Sequence, residues 1–166
     1  MPVRNRTLSL LGLAVLAIAV AGGLGACGSD SDEPARDEDT DEVTEAGDAD
    51  VFEMAVGDCL VDQSLTGEVT EVPVVPCDQP HASEIFYSHI IDGDTLPDPT
   101  AMEAIVDEQC VGNFEGFVGM PYEQSVLEVT WLEPTAGSWD AGDRELLCMV
   151  ADPAGDVTGS LAGVAR

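Results

Sequence analysis

Lysine is absent from this 166-residue chain, and only five arginines stand against 33 aspartates and glutamates. The formal net charge is −28. A surface of that sign repels phosphate backbones and anionic headgroups within a Debye length, which excludes nucleic acid as a partner. No C-x-x-C pair occurs either, so the spacing that holds zinc or iron–sulfur groups is missing. Equally absent are G-x-S-x-G, S-x-x-K and H-E-x-x-H, the local signatures of activated nucleophiles and zinc-bound water. No internal repeat is visible. The chain is therefore expected to be no enzyme, and to carry no cofactor and no bound metal.

What is present begins with an address. Arg4 and Arg6 precede an uncharged apolar stretch from Leu8 to Ala21, the order of an export signal. Gly22, Gly23 and Gly25 interrupt the stretch before it reaches the roughly 20 apolar residues that a membrane span needs. Leu24-Gly25-Ala26-Cys27 has the form of a lipobox. Residues 1–26 are thus expected to be a lipoprotein signal peptide, with Cys27 the acylated first residue of the mature protein. Two acyl chains give stable anchoring, so the expected location is the extracytoplasmic face of a cell membrane.

The next stretch, Gly28 to Asp50, holds eleven carboxylates and one arginine, with Val43 almost its sole apolar residue. Such a segment buries too little apolar surface to offset the entropy of ordering it. It is expected to be a disordered acidic spacer, about 25 Å or more from end to end, that lifts the domain off the lipid.

Residues 51–166 then suffice for one domain. Its cysteines, Cys59, Cys77, Cys110 and Cys148, are even in number and lie outside the reducing cytoplasm, so two disulfides are expected. Three pairings are open. Cys59 with Cys77 and Cys110 with Cys148 is the pairing adopted, because it staples the two halves of the domain locally.

Element signals point to α+β architecture, a small antiparallel sheet with one main helix packed on it. Val51–Leu60, Glu68–Val75 and Glu84–Ile91 read as strands, the last ending at the Asp92-Gly93-Asp94 turn. Asp98-Pro99-Thr100 opens a helix, with Thr100 and Glu103 in capping-box spacing. Met102, Ile105, Val106, Cys110, Phe114 and Phe117 recur at helical period. Ser125–Leu132 alternates as a half-buried strand; Pro134, Gly137 and Gly142 mark a loop; Glu145–Val150 is the last clear strand. The Gly-rich tail from Asp152 is expected to fray or add a short edge strand.

Two clusters in this domain resemble a known family. The first is Val56-Gly57-Asp58-Cys59-Leu60 followed by Val74 to Cys77, Asp78, Gln79, Pro80, His81 and Glu84. The second is Cys110, Pro134, Trp139, Gly142-Asp143-Arg144 and Cys148. Together they are similar to the septum-formation family. The resemblance implies an envelope location and a part in septum formation, and brings with it no catalytic residues.

Five residues are candidates for binding. His81 stands three positions from both Asp78 and Glu84, and imidazole with carboxylates can ligate metal or move protons. In extended chain, however, the ring faces opposite to both carboxylates, and structural hydrogen bonding is the plainer expectation. Arg144, with Asp140, Asp143 and Glu145 near it in sequence, is expected in a structural salt bridge; it can fork two hydrogen bonds onto a carboxylate or onto backbone carbonyls and so position Trp131 or Trp139, and the functional alternative is recognition of a ligand carboxylate. Asp92, Asp94 and Asp98 lack the glycine and terminal glutamate spacing of a calcium loop and read as a solvated turn. These features predict a binding or scaffold module of the envelope, anchored in the membrane, with a division protein or wall component as partner. The alternative is a lipoprotein that binds a small ligand or a divalent cation.

Overall fold

Residues 33–62 and 69–166 are described by a computed structural model. The expected signal peptide and Cys27 lie outside the described residues. A small hairpin of β1 (Ala35–Arg36) and β2 (Val43–Glu45) precedes a six-stranded antiparallel sheet. The sheet strands are β3 (Gly47–Asp50), β4 (Cys59–Leu60), β5 (Glu71–Val75), β6 (Ser83–Ile90), β7 (Glu128–Leu132) and β8 (Glu145–Ala151). Their spatial order is β3-β5-β4-β6-β8-β7.

The β6–β8 pair forms the centre. Along β8, Leu146, Cys148 and Val150 face one apolar cluster while Leu147 and Met149 face another, as the period of two requires. A register shift between Ile85 and Tyr87 puts both Phe86 and Tyr87 on the helical side, leaving Ile85 on the other.

One long helical element covers the first face. It consists of α1 (Pro99–Val106), a π turn (Asp107–Val111) and α2 (Gly112–Val118). Its buried residues Met102, Val106, Cys110, Phe114 and Val118 recur every four positions. At 3.6 residues per turn, that spacing drifts about 40° per step, and the wider π turn winds the stripe back onto the sheet. Asp98 is the N-cap, accepting from the N–H groups of Thr100 and Ala101, so the expected Thr100–Glu103 box gives way to a cap two residues earlier. Gly119, at φ 85°, ends the helix in the left-handed conformation that other residues resist.

Both disulfides take the adopted pairing. Cys59–Cys77 joins β4 to the turn after β5, and Cys110–Cys148 ties the π turn to β8, each with Cα atoms 5.3 Å apart. Closing spans of 18 and 38 residues contributes about 3 and about 4 kcal/mol respectively in the chain-entropy account.

The acidic segment departs from expectation over residues 33–50, which are ordered. β3 pairs with β5 from Gly47↔Val74 to Asp50↔Glu71, and Val43 and Ala49 bury against Leu60, Val72 and Val74 on the second sheet face. Two apolar side chains suffice because the sheet offers a ready-made edge and because Arg36 meets a buried carboxylate. Its Nη1 and Nη2 donate to Asp58 Oδ1 and Oδ2 at 2.7 and 2.8 Å. Composition averages over the segment and conceals both partners, which lie beyond it.

Three smaller differences concern the domain itself. Within 51–60 only Cys59–Leu60 is a strand; Val51–Glu53 is a 3-10 turn capped by Asp50. The loop expected between β7 and β8 contains a helix, α3 (Ala136–Ala141). The tail is neither frayed nor a strand. Val157 exchanges two hydrogen bonds with His81, Gly159 donates to Cys77, and Gly163 and Ala165 donate to Phe117 and Val118, with Leu161 buried between them. The tail is thus a strap from the sheet edge to the end of α2. Among the described residues, no helix is long and apolar enough to cross a membrane.

Candidate functional site

The five candidate residues fall in two places. Trp139 lies in α3 and Arg144 two residues past its C-cap, the start of the helix being fixed by a reciprocal box between Thr135 and Ser138. Gly142, at φ 106°, turns the chain back, and Arg144 then lies across the indole, its guanidinium carbon 3.7 Å from the ring centroid. Nη1 donates to the carbonyls of Trp139 and Asp143 at 2.8 and 2.6 Å. The expected salt bridge of Arg144 is not found among the described residues; one nitrogen instead donates to two backbone carbonyls at the C-terminal end of α3. Trp139 is buried, with its indole N–H directed at the Asp94 carbonyl at 3.4 Å.

His81, Asp78 and Glu84 do not converge. Asp78 is exposed on the turn after β5. His81 is wholly buried, and its Nδ1 lies 2.9 Å from the Gln79 carbonyl. A carbonyl only accepts, so Nδ1 carries a proton, and Nε2 is buried with no hydrogen-bond partner among the described residues. Glu84 is buried too, and both its oxygens are engaged by the tail strap. Oε1 accepts from Ser160 Oγ at 2.7 Å, and Oε2 from the Leu161 N–H at 2.6 Å. Cys59, Cys77 and Glu84 bring their ligand atoms within 4.8 Å of one another, but the two sulfurs are bonded together and offer no thiolate. Asp98 is likewise occupied, as the cap of α1.

An accessible site lies elsewhere. A cleft of about 350 Å³ opens between the 3-10 turn at Val51–Glu53, the end of β7, the start of β8 and the first turn of α3. Val51, Phe52, Leu132 and Leu147 supply its apolar walls, and Glu133, Asp143 and Glu145 supply carboxylates. Each carboxylate is held in place. Asp143 accepts from Ser138 Oγ at 2.8 Å and from the Glu145 N–H at 3.0 Å, Glu145 from Ser88 Oγ, and Glu133 from the Trp131 indole at 2.8 Å. Among the described residues, no cationic side chain lines the cleft. Sequence reading missed it because its walls come from four separate segments. The one local cue was Phe52, a large apolar residue amid acidic ones that is 62 % exposed.

A family profile described as septum formation matches residues 56–165. The chain belongs to the septum-formation family. The match spans the sheet strands from β4 onward, the long helix, both disulfides and the tail strap, so the septum-formation domain ends with the strap and not at β8. The residues that ordered the acidic segment, Arg36 to Asp50, precede it. No curated protein and no solved structure matches the chain.

Proposed function

We propose that this septum-formation protein is a lipid-anchored, extracytoplasmic binding module without enzymatic activity, serving cell-envelope assembly at division. The observation that carries this reading is the use to which the family's polar residues are put. Glu84 is buried and holds the tail onto the sheet, His81 is buried with its ring on the Gln79 carbonyl and its backbone on Val157, and Arg144 stacks on Trp139. None of them is offered to a reacting group, whereas the open cleft combines apolar walls with fixed carboxylates, the make-up of a recognition site. The export signal, the Cys27 lipobox and two disulfides supply the reasons for an oxidising, membrane-attached setting.

The test is imaging of the full-length chain joined at its C-terminus, through a flexible linker, to a reporter that folds outside the membrane. Enrichment at septa beside a septal marker supports the reading. Uniform envelope signal together with normal septa after deletion removes the division role. Release of a Cys27→Ala variant from membranes after signal cleavage tests the anchor separately.

A further inference from the structure

We infer that the cleft beside α3 receives a basic segment of a partner protein, one lysine or arginine side chain flanked by an aliphatic residue. This deepens the binding-module reading and rests on it. The argument is one of complementarity. A cavity of about 350 Å³ lies at the small end of ligand sites and admits one or two side chains, not a folded surface. Its floor, Leu132 and Leu147, takes the aliphatic stem that lysine and arginine carry behind their charge. Phe52 stands at the rim, 62 % exposed, an aromatic face available to a cation or to an apolar neighbour.

The charge is prepared in advance. Asp143 and Glu145 are oriented by Ser138 and Ser88 before any ligand arrives, so little ordering is left for binding to bring about. Among the described residues, the molecule supplies no cation of its own to this place. There is no lysine in the chain, Arg36 is engaged with Asp58, Arg144 with Trp139 and Arg166 with Asp152, while Arg4 and Arg6 belong to the expected signal peptide, outside the described residues. A second copy of this acidic chain is excluded as occupant by the same charge, and an acidic peptide likewise.

The test uses the full-length protein in detergent and three fluorescently labelled, end-blocked peptides, Gly-Leu-Lys-Leu-Gly and its counterparts with asparagine or glutamate at the centre. The lysine peptide is expected to bind saturably, and the other two at least about tenfold more weakly, the worth of a charge-assisted hydrogen bond. Glu133→Gln and Phe52→Ser, both at exposed positions whose replacement leaves the core intact, are each expected to weaken it about tenfold. Raising sodium chloride is expected to weaken it further. The inference is overturned by absence of saturable binding up to several millimolar, by equal binding of the asparagine peptide, or by equal affinity in both variants, which means attachment elsewhere on the acidic surface. Calcium binding that disappears in Glu133→Gln also overturns it, in favour of a cation site. Septal enrichment with a flat titration leaves the binding module standing without this cleft, whereas positive titration with uniform envelope signal keeps the cleft and removes the division role.

Discussion

At the scale of single residues, Asp58 is the position on which most depends. It is 2 % exposed, and Arg36 and the Ala55 N–H are the groups that satisfy it. Its hydrogen bond to Arg36, helped by the attraction of the charges and opposed by burial, holds the guanidinium pKa above its ordinary value. Removing one partner leaves the other charge unmatched in low dielectric. Arg36→Ala is expected to lower unfolding free energy by about 2–4 kcal/mol, read from the urea midpoint. A second residue gives a dependence on pH. The Ala154 N–H, aided by Arg166 and opposed by partial burial, holds the Asp152 carboxyl below its ordinary pKa. A depressed carboxyl stabilises the fold at pH values above the unfolded pKa, and that stabilisation disappears as pH falls through the folded one. Wild type should therefore exceed Asp152→Asn in stability at pH 6, with the gap closing below about pH 4 in paired urea titrations. A gap that stays constant down to pH 2.5 contradicts the assignment.

Among the elements, the N-terminal hairpin and β3 make the sharpest claim. Deleting residues 28–50 takes away four backbone pairs on β5, the cover that Val43 and Ala49 give to the second face, and the partner of Asp58. The expected loss is about 3–5 kcal/mol by denaturant unfolding, where a disordered spacer predicts no change. The contrast with the rest of the fold shows what a sequence can tell. β6, β8 and the long helix were legible because their apolar periods run for seven residues or more and face one partner layer. α3 was not, because the six residues Ala-Gly-Ser-Trp-Asp-Ala are too few to carry a period, although Thr135, Ser138 and Gly142 are its caps. A tryptophan partner for Arg144 was legible only as Trp131 or Trp139; the turn at Gly142 decides for Trp139, five positions away. Glu84 with Leu161, 77 positions distant, and Asp58 with Arg36 were not, since the fold alone brings them together. The cleft belongs to the same class.

For the molecule as a whole, charge dominates. A net −28 spread over a small fold opposes compaction, and two ion pairs among the described residues offset little of it. Sodium chloride raised from about 20 to about 300 mM is expected to stabilise the protein by about 1 kcal/mol, roughly 4 °C in Tm. An unchanged Tm refutes the claim that self-repulsion limits stability.

The order found at Glu33 also sets a leash. On the proposed anchor at Cys27, five residues separate lipid from fold, and the six backbone steps from Cys27 to Glu33 span at most about 20 Å however they are drawn out. A protein so anchored searches in two dimensions. Partners rooted in the same bilayer are met at local concentrations that short linkers put in the millimolar range, so even a weak grip suffices for occupancy. A partner seated farther out in the wall than this reach plus the width of the fold is never met at all.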